Sequence, residues 1–200
     1  QEDFVKRTFN SYSIIEIVGP IWFSSFQNKS MKNDFSKRIS AGVFDSQPFR
    51  MSMAANWAPP NIYSDSKIPI QFLKDTHKVL NEYSVVALHK RKRDIGKQLH
   101  PKYRKVLKNF SGDYQKSIDP SVQASELIDH VDFVICMPFT SAALLALDQK
   151  KPIIYYDPFG DIQMDDRAAH GVKIIIGIEE LKFWVKGVIS QLKKAEGKNS

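Results

Sequence analysis

Apolar residues along the chain fall in short runs separated by amphipathic stretches. Seven runs predict strands: residues 13–23 (SIIEIVGPIWF), 38–45 (RISAGVFD), 84–88 (SVVAL), 114–118, 131–137 (VDFVICM), 152–156 (PIIYY) and 172–177 (VKIIIG). The last three are apolar almost throughout, as in strands of a parallel sheet covered on both faces. Between them, helical spacing predicts helices over 68–82, 96–110, 121–129, 140–149 and 179–194. In the last of these Leu181, Trp184, Val185, Val188 and Leu192 share a face. Strands alternating with helices of this length predict βαβ units. The fold class expected is α/β, a Rossmann-like, mostly parallel sheet with helices on both faces. Residues 24–35 and 47–67 read as polar or Pro/Asn-rich loops, the second holding Trp57 and Tyr63. A loosely ordered start over 1–12 and end over 195–200 are expected around one domain spanning 1–200.

Composition narrows the class. Of 200 residues, 42% are hydrophobic and 26% charged, which excludes a wholly disordered chain. Cys136 is the single cysteine, so neither a disulfide framework nor a multi-thiolate zinc site is available, and a reducing, cytoplasmic compartment is expected. No apolar run reaches the roughly 18–20 residues that span a bilayer. The chain begins at Gln1 rather than Met, and we expect it to be part of a longer protein. A net charge of +7 suits a phosphate-bearing partner or an acidic membrane surface. Walker, G-x-G-x-x-G, G-x-S-x-G and H-E-x-x-H patterns are missing from the sequence, which removes the common triphosphatase, dehydrogenase, hydrolase and protease readings.

Four places could carry chemistry. In MPFTSAALLAL a buried strand runs into Pro138, Phe139, Thr140 and Ser141 and then an Ala/Leu-rich helix. Hydroxyls and free amides at such a start can hold a phosphate, or Thr140 can simply cap its own helix. In an open parallel sheet, ligands sit beyond the carboxyl ends of strands. Directly after the strand over 84–88 comes HKRKR, whose four cations Lys90, Arg91, Lys92 and Arg93 would neutralise phosphate at the same rim. The plainer reading is a solvated loop. His100, before Pro101, is a third candidate as clamp or proton donor. Fourth, IIYYDPFG ends a strand with Tyr156 and Asp157, able to flank a base and accept from a ribose hydroxyl, although Asp-Pro is also an ordinary turn start. Asp45 and Asp119 stand at other strand ends. Asp165, Asp166 and His170 form a metal-like string without further ligands, read here as loop charge; no metal is expected. Cys136, inside a strand, reads as an inert thiol.

With these residues in view, MPFTSAALLALDQKKPIIYYDP resembles the signature of the bacterial polysaccharide biosynthesis PFTS motif proteins, which are similar in layout to the Kdo and sialic acid transferases of the GT-B class. The likeness continues through GPIWFSS, ISAGVFDSQPFR, the basic run and GVKIIIGIEELKFWV. It implies the C-terminal half of a GT-B glycosyltransferase: the part that binds a nucleotide-sugar donor for bacterial surface polysaccharide. An N-terminal acceptor domain would lie outside this chain, leaving it inactive by itself. The glycan or lipid-linked acceptor would bind that missing domain, and the location implied is cytoplasmic with peripheral contact at the inner membrane. In CMP-sugar transferases of this kind a post-strand His-Pro element and a Ser/Thr element at a helix start hold the donor phosphate. Thr140 and Ser141 match the second. For the first, Lys90 takes the place of the element's lysine with no proline following, while His100–Pro101 matches in letters one helical segment later. A CMP-activated ulosonic acid such as CMP-Kdo is therefore the donor implied, with UDP- or GDP-sugars as alternatives. No metal or other cofactor is implied, and nucleic acid is not an expected partner. The competing class is a non-catalytic Rossmann-like module for anionic partners.

Overall fold

A computed structural model describes residues 38–50, 65–108, 114–161 and 167–197. The strand expected over 13–23, the loop over 24–35, the start over 1–12, most of the loop over 47–67, and Asp165 and Asp166 lie outside the described residues.

Six strands form one parallel sheet: β1 (Ser40–Phe44), β2 (Val86–Lys90), β3 (Gln115–Ile118), β4 (Phe133–Cys136), β5 (Ile153–Asp157) and β6 (Ile174–Ile176). Five α-helices accompany them: α1 (Lys67–Glu82), α2 (Pro101–Lys108), α3 (Ala124–His130), α4 (Ser141–Asp148) and α5 (Gly177–Glu196). The strand order β3-β2-β1-β4-β5-β6 makes this the expected Rossmann-like α/β fold. From β1 the chain first winds outward through β2 to β3. It then returns to lay β4 against the other side of β1 and winds the opposite way. A crevice opens where those directions diverge, beyond the carboxyl ends of β1 and β4.

Alternation within each strand divides the apolar residues between two layers. Ala41, Val43, Phe133, Ile135, Ile154 and Tyr156 face α1, α2 and α5, meeting Phe72, Leu73, Tyr103, Leu181 and Val185. Phe44, Val134, Cys136, Tyr155 and Ile174 face α3 and α4, meeting Leu127, Ile128, Ala142 and Ala146. Covering on both sides is why the central strands read as unbroken apolar runs.

Helix ends follow local chemistry. Pro69 sits in the first turn of α1, where its missing N–H removes no helical bond. Lys67 N–H there donates to Asp65 Oδ1 at 2.9 Å. In α5, Glu179 and Glu180 occupy the positive end and Lys193 and Lys194 the negative end.

Two expected elements are displaced. The strand expected over 84–88 occupies Val86–Lys90. Ser84 takes a left-handed conformation (φ 55°) as α1 ends, and Val85 N–H still donates to Leu80 O, so pairing starts later. Once started it runs on, because Lys90 is in register with both Phe44 of β1 and Ile118 of β3. The helix expected over 96–110 is split into a short 3₁₀ turn, Gly96–Gln98, and α2. Pro101 explains the break: it disfavours helical geometry just before itself while serving well as a first helical residue.

Candidate functional site

A cleft of about 610 Å³ lies at the carboxyl ends of β1, β2 and β4. One wall is the end of β1 and the segment after it, from Phe44 to Phe49; a second is the end of β2 and the segment after it, Lys90 to Ile95; a third is the β4–α4 turn with the start of α4, Pro138 to Ala142. Asp45, all four cations, and Pro138, Phe139, Thr140 and Ser141 therefore border one space.

Hydrogen bonds knit the first two walls together. Gln47 Oε1 accepts from Arg93 N–H at 3.0 Å, and His100 N–H donates to Pro48 O at 2.9 Å. Arg50 N–H donates to Gln98 O at 2.9 Å, beside an antiparallel bridge between Phe49 and Leu99. Gln47, Phe49 and Ile95 were not singled out by sequence reading. The signal available was a polar–apolar SQPF string immediately after a buried strand.

The four cations are not equivalent. Lys90 belongs to β2 and is buried, and its Nζ donates to Arg91 O at 3.3 Å and Pro120 O at 3.2 Å. Burial lowers its pKa, partly offset by attraction to Asp119. This corrects the expectation of four loop cations: only Arg91, Lys92 and Arg93 follow the strand. Arg91 is partly buried, while Lys92 and Arg93 are exposed.

Asp45 is committed to the protein. Its Oδ1 accepts from His89 Nε2 at 3.2 Å, and its Oδ2 accepts a short bond from Tyr103 hydroxyl. Both partners are fully buried. Burial first, then the Asp45 charge and hydrogen bond, push the Tyr103 hydroxyl pKa well up, so it stays a donor. Asp45 thus forms the floor of the cleft, with each oxygen occupied.

At the β4–α4 turn, Phe139 takes a left-handed conformation (φ 61°) and its ring packs on Tyr155 at 5.8 Å. That turn brings Thr140 back over the end of β4, where its hydroxyl donates to Met137 O at 2.9 Å. The side chain makes no cap bond to α4. Ser141 is exposed at the first helical position. The first-turn amides of Ser141 and Ala142 have no carbonyl partner within α4, so this end supplies donors to the cleft. Beneath it, burial pushes the Cys136 thiol up to about 12, which keeps it an inert thiol.

Four expected residues lie elsewhere. Tyr156 faces the opposite layer, where its hydroxyl donates to buried Asp75 Oδ2 at 2.8 Å. Strand alternation instead turns Tyr155 toward the PFTS side, with its hydroxyl 3.4 Å from Thr140 O. Asp157 Oδ1 accepts from Phe159 N–H at 3.0 Å, the ordinary Asp-Pro turn, and does not line the cleft. Asp119 Oδ1 does the same with Ser121 N–H at 2.8 Å. His100 contributes its backbone to the joined walls but does not border the cleft.

A family model for the polysaccharide biosynthesis PFTS motif protein matches residues 1–185, nearly the whole chain. The chain belongs to this family. In this PFTS motif protein the naming tetrapeptide is Pro138-Phe139-Thr140-Ser141, the turn that forms one wall of the cleft. No curated protein and no solved structure matches the chain. Among the described residues of this PFTS motif protein no helix is long and apolar enough to cross a membrane, and no three His, Cys, Asp or Glu side chains gather as a metal site.

Proposed function

We propose that this protein is the donor-binding part of a glycosyltransferase in polysaccharide biosynthesis, with the phosphate of a nucleotide sugar held in the cleft. The observation that carries this is the meeting of Arg91, Lys92 and Arg93 with the amide-rich start of α4 across the sheet's crevice. Leaving of the nucleotide places negative charge on its phosphate, and fixed cations and aligned N–H groups stabilise that charge. Neutralisation by side chains of this kind supports metal-independent departure.

Among the described residues that line the cleft, the carboxylate is Asp45, and it is held by His89 and Tyr103. On this reading, activation of the acceptor hydroxyl belongs to the acceptor-binding half of a GT-B arrangement. A CMP-linked ulosonic acid is the donor of first choice, on the likeness of Thr140–Ser141 to the phosphate-holding Ser/Thr element of CMP-sugar transferases, with UDP- and GDP-sugars the alternatives.

Calorimetry with CMP, UDP and GDP tests the reading. The expected outcome is selective binding of one nucleotide, weakened about tenfold or more by Arg93→Ala and by Ser141→Ala. Binding that ignores the base, falls steeply with salt and is unaffected by Ser141→Ala would instead mark a general anion-binding module.

A further inference from the structure

Cationic charge in this chain is concentrated on one stretch. Residues 90–108 hold nine lysines and arginines against one carboxylate, Asp94, a surplus larger than the +7 of the whole chain. Only part of that charge faces the cleft.

Behind the loop that follows β2 lies a second concavity of about 450 Å³, between the 3₁₀ turn, α2 and the edge strand β3. Arg91, Lys97, Arg104 and Lys108 line it from three separate segments, the loop after β2, the 3₁₀ turn and α2, and Ser117 of β3 lines it too. Among the described residues that line it, the carboxylate is Asp94, and it is occupied: Oδ1 accepts from Gly96 N–H at 3.0 Å and stands 4.0 Å from Arg91. Arg104 is oriented by donating to Gly96 O at 2.6 Å, which leaves the rest of its planar fork for another acceptor. Lys97, Arg104 and Lys108 have no carboxylate partner among the described residues. Like charges gathered around one hollow repel each other, and an oxyanion placed among them turns that repulsion into attraction. The hollow, at about 450 Å³, is wider than a single phosphate requires, and its cations come from the loop after β2, the 3₁₀ turn and α2.

We propose that this second hollow is a binding site for a diphosphate-bearing ligand, separate from the donor cleft. Arg91 borders both spaces and marks their common wall. The proposal does not depend on the donor reading, since none of Lys97, Arg104 and Lys108 lines the cleft.

Titration calorimetry with inorganic pyrophosphate tests it on three paired variants of the full chain. Lys97→Gln with Lys108→Gln removes two exposed cations of the hollow. Lys102→Gln with Lys105→Gln removes two exposed cations of α2 that lie outside it. Lys92→Gln with Arg93→Gln removes cations of the cleft. The expected result is loss of one bound pyrophosphate, or about tenfold weakening, in the 97/108 pair, with the 102/105 pair unchanged. If only the donor reading fails, the 92/93 pair binds pyrophosphate as the parent does while the 97/108 pair still loses it. Equal losses in the 97/108 and 102/105 pairs, or none in the first, overturn the site.

Vesicles of phosphatidylcholine with and without a polyprenyl diphosphate then separate the sources of such a group. Flotation abolished in the 97/108 pair and competed by pyrophosphate identifies a lipid headgroup. Pyrophosphate binding without flotation identifies a soluble diphosphate.

Discussion

Asp45 shows how much a single position beside a ligand cleft can be given over to holding the cleft's shape. A buried carboxylate is costly unless its oxygens are paired, and here His89 and Tyr103 supply one donor each. Tyr103→Phe keeps the ring and removes the hydroxyl, leaving Oδ2 buried without that donor. A loss of about 1–3 kcal/mol is expected in urea unfolding. An unchanged midpoint would mean that Oδ2 finds water. His77, close to His89, is the acid-sensitive residue of the same layer. Burial, then repulsion from His89, hold its pKa down from 6.5 to about 3, against a hydrogen bond to the Gln115 side chain that raises it. The folded pKa lies below the unfolded one, so this contribution is complete above pH 6.5 and is lost as pH falls towards 3. Within that window the unfolded chain binds a proton that the folded chain refuses, at about 1.4 kcal/mol per pH unit. Comparing urea midpoints at pH 7 and pH 5 should show a smaller acid loss in His77→Gln than in the parent; equal losses would contradict this.

Among the elements, the β4–α4 turn separates two hydroxyls that the sequence presents as a pair. Thr140 turns its hydroxyl back to Met137 O, and Ser141 leaves its own exposed. Thr140→Val should therefore lower stability by about 1 kcal/mol. Ser141→Ala should change stability by less than about 0.5 kcal/mol while weakening nucleotide binding. Thermal melts of both variants check the contrast, and a larger loss from Ser141→Ala than from Thr140→Val would reverse the assignment. The existence of each described strand and helix was legible because apolar runs and helical stripes leave a periodic trace. Boundaries were less so. The beginning of β2 depends on the left-handed turn at Ser84, and its end depends on neighbours in register at Phe44 and Ile118. Neither is encoded in the VVAL run itself. Pro101 was a readable stop that the stripe through Leu99 and Tyr103 concealed.

At the scale of the molecule, strand order decides which distant segments become neighbours. That HKRKR and PFTS share a rim followed from placing both at the ends of parallel strands, and the observed order puts them around one crevice. Tyr156 and Asp157 also stand at a strand end, yet β5 is one place further from the switch point and Tyr156 points into the other layer. Side-chain facing at the last residue of a strand shifts with a one-residue change in register, which no reading of composition supplies. The second basic hollow was illegible for a related reason: its walls come from the loop after β2, the 3₁₀ turn, α2 and β3, and only folding brings Ser117 to the same hollow as Lys97.

Among the described residues the sheet ends in two outer strands, β3 and β6, each with backbone groups on which another chain could template. β3 answers with polar side chains, Lys116 and Ser117, both turned to solvent. β6 is all isoleucine but only three residues long, and exposed Lys173 stands immediately before it. Brevity at one margin and charge at the other discourage edge-to-edge pairing of these strands between copies.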